Sequence, residues 1–180
     1  MISVEAYNQL KAYARIDGAK LGLFWVISFA LFVANFAYPI CGTLWMMTMI
    51  ATPFVIGIYT NRFATKVLDG NISYRRAYAY SAYTSFYAAL ILALAQWGYF
   101  QFFDHGYVIG NYLNILTDPN VSKALEGMGY KGEQMQEIVE QLKALRPIDI
   151  SLQILWTNVM ASLIISLTTA LFASSKKRIK

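Results

Sequence analysis

Three stretches of this chain contain no Asp, Glu, Lys or Arg: residues 21–59, 77–103 and 150–175. A helix that crosses the hydrocarbon core of a bilayer needs about 20 consecutive, mainly apolar residues. The first stretch has room for two crossings and each of the others for one. A soluble domain would spread charge over every surface helix and carry about 25% charged residues. Here 14% of the 180 residues are charged and 57% are hydrophobic. The expectation is an all-α integral membrane protein in one domain, 1–180. Its four transmembrane helices are expected at about 20–37, 43–60, 76–103 and 150–173.

The cations are distributed unevenly between the ends of these spans. Lys11, Arg15 and Lys20 precede the first span, and Arg62, Lys66, Arg75 and Arg76 lie between the second and third. Lys176, Lys177, Arg178 and Lys180 follow the fourth. Only Glu5, Asp17 and Asp69 accompany them, whereas residues 104–149 hold four cations and seven acids. Loops rich in Lys and Arg stay on the cytoplasmic side. Both termini are therefore expected in the cytoplasm and 104–149 in the periplasm, across a bacterial inner membrane. The net charge of +5 is then a difference between two membrane faces. It does not point to a nucleic-acid partner.

Punctuation residues divide the chain further. Tyr38-Pro39-Ile40-Cys41-Gly42 reads as the turn between the first two spans, and Pro53 removes one ladder hydrogen bond from the second. Asp69-Gly70 favours a tight turn, with Ser73 as a cap for the third span. Asp17-Gly18 reads as a turn too, separating an interfacial helix at 3–16 from the first span. The external segment 104–149 is expected to hold two short amphipathic helices. One opens at Asp118-Pro119 and gathers Val121, Ala124, Leu125 and Met128 on one face. The other gathers Met135, Ile138, Val139, Leu142 and Leu145. They would lie on the membrane surface or cap the bundle, or else dock a partner. His105 beside Asp104 reads as a surface pair. Cys41 is the one cysteine and follows no lipobox, and His105 is the one histidine. No disulfide, metal or cofactor is expected from that inventory.

Two constellations stand out within the spans. Ser81, Ser85 and Ala89 recur every four residues in the third span, as do Ser162, Ser166 and Ala170 in the fourth. Small residues at this period let helix backbones approach closely. A tight seam between spans three and four is expected, with a homodimer seam as the alternative. Tyr78, Tyr83 and Tyr87 crowd the inner half of span three below Arg75 and Arg76, a pattern that could hold a phosphorylated lipid headgroup. Membrane anchoring by interfacial tyrosines is the plainer reading. Asn35, Gln96 and Asn158 lie deep in the spans, where carboxamides commonly bond between helices. No nucleophile elbow, zinc-protease motif or glycine-rich phosphate loop is present, and no acidic cluster that would hold magnesium.

The run Asp69-Gly70-Asn71-Ile72-Ser73-Tyr74-Arg75-Arg76-Ala77-Tyr78 resembles the Gly-x-Ile-Ser-Phe-x-x-Ala-Phe signature of a Bacteroidetes inner-membrane family, domain of unknown function 4199. Asp118-Pro119, Asn158 with Ile164-Ile165-Ser166-Leu167, and Lys176-Lys177 are similar to its pattern. Asp69 departs from it where glycine is expected, as does Ala161-Ser162. The resemblance covers nearly the whole chain. It implies four helices, a Bacteroidetes cytoplasmic membrane and no assigned activity, with a polyprenyl-phosphate glycosyltransferase as the associated partner. The expected function is a non-catalytic scaffold or accessory subunit of a membrane complex, in contact with membrane lipids. The alternative is lipid binding or small-solute transport at the Tyr/Arg-rich end of the third helix.

Overall fold

The computed structural model describes residues 4–130 and 132–175. Within them lie seven helices and no strand: α1 Val4–Ala34, α2 Pro39–Val67, α3 Tyr74–Phe102, α4 Tyr107–Leu116, α5 Pro119–Gly127, α6 Gly132–Ala144 and α7 Pro147–Ser175. Four of them, α1, α2, α3 and α7, are long and apolar enough to cross a membrane. Lys176, Lys177, Arg178 and Lys180 of the basic tail, Lys131 and Ser3 lie outside the described residues.

Local chemistry sets the helix ends. Pro39 opens α2, where its missing N–H costs no helix bond. Asp69 and Gly70, with φ of 49° and 77°, close α2 by turning left-handed, a conformation Asp and Gly tolerate. Asp118 caps α5 by accepting from the backbone N–H of Asn120 at 2.8 Å, with Pro119 in the first turn. Ser73 occupies the cap position of α3, but its side chain makes no capping hydrogen bond.

The four long helices form a ring in which α3 packs on both α1 and α7, and α2 closes the ring between those two. Leu10 at the start of α1, Phe63 near the end of α2, Ala77 and Tyr80 near the start of α3, and Ala170 near the end of α7 share one core cluster. The start of α1 and the end of α7 therefore lie at one end of the bundle, the basic end. Helices α4, α5 and α6 lie between α3 and α7 in sequence and belong to the opposite, capped end. A second cluster of Leu21, Trp25, Ile56, Ala88, Ala89 and Leu92 fills the middle. Ser81, Ser85 and Ala89 on α3, and Ser162, Ser166 and Ala170 on α7, are all buried within this single chain.

Four sequence expectations change. Helix α1 runs unbroken from Val4 to Ala34, so there is no separate interfacial helix and no turn at Asp17-Gly18. A Cβ on Gly18 would lie 2.7 Å from the Thr84 carbonyl oxygen, and one on Gly22 would lie 2.9 Å from Ile91 Cβ. These glycines allow close backbone approach to α3 and do not mark a bend. The external segment holds three short helices, not two. The additional one, α4, starts after His105 and Gly106 turn left-handed, at φ of 45° and 83°. Asp104 is buried there and accepts from Gly106 and Val108 N–H, each at 3.1 Å. It serves as the start of α4 and not as a surface partner of His105. The spans are also longer than the apolar runs. Helix α2 continues to Val67 and α7 begins at Pro147.

Gly18→Ala should destabilise the bundle by about 1–3 kcal/mol, the range for overpacking a tight core. Gly57, with nothing within 4 Å of its Cβ direction, provides the comparison: Gly57→Ala should be neutral or slightly stabilising. Reversible unfolding in mixed micelles measures both.

Candidate functional site

Toward the capped end the bundle does not close on itself. A cavity of about 460 Å³ lies inside the ring, within the usual span of small-molecule sites. Trp25, Phe29 and Phe32 of α1, Trp45 and Met49 of α2, Leu92 and Phe100 of α3, and Ile150, Ile154 and Ile165 of α7 supply apolar walls. Val108, Ile109 and Tyr112 of α4, Leu142 of α6 and Leu145 just beyond its end also line it. The amphipathic face of α6 is thus divided. Leu142 and Leu145 serve the cavity, while Met135 and Val139 face a shallow groove shared with Ser122 and Glu126 of α5.

No Asp, Glu, Lys or Arg lines the cavity, and its polar groups are few. Thr52 Oγ1 accepts from Trp25 Nε1–H at 3.3 Å and donates to the Thr48 carbonyl at 3.0 Å, so it is satisfied. Gln96 differs. It is 4% exposed, lines the cavity from α3, and its Oε1 has no hydrogen-bond partner. Leaving a buried acceptor unpaired costs about 1–3 kcal/mol, so Gln96 is where a donor on a ligand would gain most. Asn158 and Ser162 line the same cavity from α7. Tyr112 of α4 adds a phenol, which burial holds above its ordinary pKa. The chemistry available is hydrogen bonding and apolar contact. Among the described residues no three His, Cys, Asp or Glu side chains come together to hold a metal ion.

The residues expected to hold a lipid headgroup lie at the other end and divide into separate groups. Arg75 is exposed, and Arg76 is half-buried with its Nε unpartnered. The cations seated on the tyrosine rings come instead from α1. Lys11 Nζ lies 4.5 Å from the Tyr7 ring centre and 5.5 Å from that of Tyr83, and the Arg15 guanidinium lies 5.9 Å from that of Tyr87. Tyr7 and Tyr83 hydrogen-bond through their hydroxyls. Tyr78 and Tyr83 line a groove against α7.

Sequence reasoning missed Asp17. It is 7% exposed within continuous α1, accepts from the Tyr80 hydroxyl at 2.6 Å and pairs with Lys20 at 3.4 Å. Tyr80 in turn stacks on Phe63 at 4.2 Å between ring centres. Helical spacing would have revealed it: Leu10, Ala14, Asp17 and Leu21 occupy one face, and all four are buried. The carboxylate joins α1 to α3, and the aromatic pair joins α3 to α2.

Tyr80→Phe retains the stacked ring and removes only the donor to Asp17. It should cost about 1.5–3 kcal/mol, as for a hydrogen bond to a charged group, read by unfolding in mixed micelles. Gln96→Leu should instead stabilise the ligand-free protein by about 1 kcal/mol, because it removes an unpaired buried acceptor. A rise in thermal midpoint without added lipid checks it.

No curated protein and no solved structure matches the chain. A family model does, over residues 17–175, from the last turns of α1 before the bilayer through the end of α7. That range takes in the Asp17–Tyr80 contact, the glycine approach of α1 to α3, and every wall of the cavity. The chain belongs to the family described as protein of unknown function DUF4199.

Proposed function

We propose that this membrane protein is a non-catalytic lipid-binding protein whose capped-end cavity holds one apolar chain of an amphiphile. The observation that carries the reading is the pairing of an aromatic, charge-free cavity with the orphaned Gln96 carboxamide. Apolar walls supply affinity for an acyl or isoprenoid chain, and the unpaired Gln96 acceptor supplies orientation. Nothing in the lining is an acid, a thiol or an imidazole, which supports binding over chemistry. In this reading the protein sits in a bacterial inner membrane with both termini cytoplasmic. The cavity then opens at the depth of the periplasmic leaflet.

A second reading is an accessory subunit of a membrane complex, with a polyprenyl-phosphate glycosyltransferase as its partner. Helix α2 favours it. Met46, Met47, Ile50, Phe54 and Ile58 are exposed large side chains along it, a face for lipid or for a neighbouring span. The small-residue seam of α3 and α7 is used inside the chain and offers no surface for a second copy.

Native mass spectrometry of the full chain, extracted in a mild neutral detergent, tests the lipid reading. One co-purifying amphiphile is expected. Ala161 lines the cavity and is exposed, so Ala161→Trp should fill the space and remove that one amphiphile from the lipid retained while circular dichroism remains that of the parent. Equal retention in the variant, or delipidated protein with unchanged stability on adding lipid, would overturn it. Cross-linking in intact membranes that recovers only the monomer would remove the second reading.

A further inference from the structure

The basic end carries a second feature, independent of the cavity. Tyr7, Lys11 and Arg15 follow one another at four-residue spacing along α1. Both cations sit on tyrosine rings: Lys11 on Tyr7 and Tyr83, Arg15 on Tyr87. Among the described residues neither cation forms an ion pair, since Asp17, the buried acid of α1, is taken by Tyr80 and Lys20. Like charges one helical turn apart repel, so this pair lacks the counter-anion that would settle it. The tyrosine pair adds a donor. In the bond between the Tyr7 and Tyr83 hydroxyls one phenolic proton is used, and the accepting hydroxyl keeps its own to donate onward. The cluster therefore offers ammonium, guanidinium and phenol donors with no carboxylate to compete for them.

Tyr83 also belongs to the groove between α3 and α7. That groove has a volume of about 400 Å³ and is lined by Tyr78, Ala82, Tyr83, Phe86, Val159 and Leu163. A donor-rich head and an apolar channel thus share one residue. A free phosphate would use only the head, whereas a phospholipid would use both. We propose that the α1–α3 cleft at the basic end binds the phosphate of an anionic glycerophospholipid. Lys11 and Arg15 take the phosphate oxygens, the Tyr7–Tyr83 pair donates its remaining proton, and an acyl chain lies along α3 in the groove against α7. Arg75 and Arg76 take no part.

The test is native mass spectrometry of the full chain in neutral detergent, titrated separately with dioleoyl phosphatidylglycerol, dioleoylglycerol and inorganic phosphate. One phosphatidylglycerol should be retained in preference to dioleoylglycerol. Lys11→Gln with Arg15→Gln should weaken that binding about tenfold or more, as expected for losing two basic contacts to an anionic headgroup. Lys66→Gln with Arg75→Gln removes the same charge from exposed sites and should leave it unchanged, as should Ala161→Trp. Equal loss in the Lys66/Arg75 variant would overturn the proposal in favour of general attraction. Binding of phosphate alone as tightly as the lipid would overturn the groove's part. Loss in Ala161→Trp would place the lipid in the capped-end cavity and overturn this site while leaving the other.

Discussion

The structure depends on how closely α1 approaches α3. In lipid there is no hydrophobic force between helices, so their association rests on packing and on polar contacts between them. Gly18 and Gly22 bring α1 against the Thr84 and Ala88 carbonyls of α3. At that distance Asp17 reaches the Tyr80 hydroxyl. Tyr80 then presents its ring to Phe63 of α2, so one contact fixes three helices. A carboxylate among apolar side chains would be costly alone. Here it has a donor from each of two neighbours on α1 and α3, Lys20 and Tyr80.

The two halves of the bundle diverge from this contact for reasons of side-chain size. In one half α3 packs on α7, and Ala77, Ser81 and Ser85 of the former and Ser166 and Ala170 of the latter are all buried. Ser81 turns its hydroxyl back to the Ala77 carbonyl of its own helix at 3.0 Å, while the buried Ser85 and Ser166 hydroxyls have no hydrogen-bond partner. In the other half, the facing residues are Trp25, Phe29, Leu92, Phe100 and Ile154, too large for the same approach. The helices separate, and the space between them is the cavity. Helix α4 covers it with Val108 and Tyr112, and the end of α6 and the residue after it cover it with Leu142 and Leu145.

Much of the site was present in the sequence in another guise. Gln96 and Asn158 stand out as deep carboxamides, and the obvious expectation is a bond between helices. The structure places both on the cavity, which no spacing rule reveals, because whether two carboxamides meet depends on the splay of the helices that carry them. The tyrosines of α3 were equally visible. The cations nearest to them in sequence are Arg75 and Arg76. Parallel packing of α1 on α3 brings Lys11 and Arg15 instead. Helix α4 was missed because His105 and Gly106 read as loop, although Val108, Ile109, Tyr112 and Leu116 have helical spacing behind them.

By itself the sequence determined four spans and their order, the basic and capped ends, the Asp118 helix start and the family. These follow from charge placement, apolar length and local capping, all of which act over a few turns of one helix. The tertiary structure decided which faces meet. It turned Asp17-Gly18 from a turn into a buried contact, opened a cavity where large side chains hold the helices apart, and exchanged the cations beside the tyrosines. The reason is that a helix presents several possible faces at nearly equal local cost. Only the closest backbone approach available, at Gly18 and Gly22, selects among them.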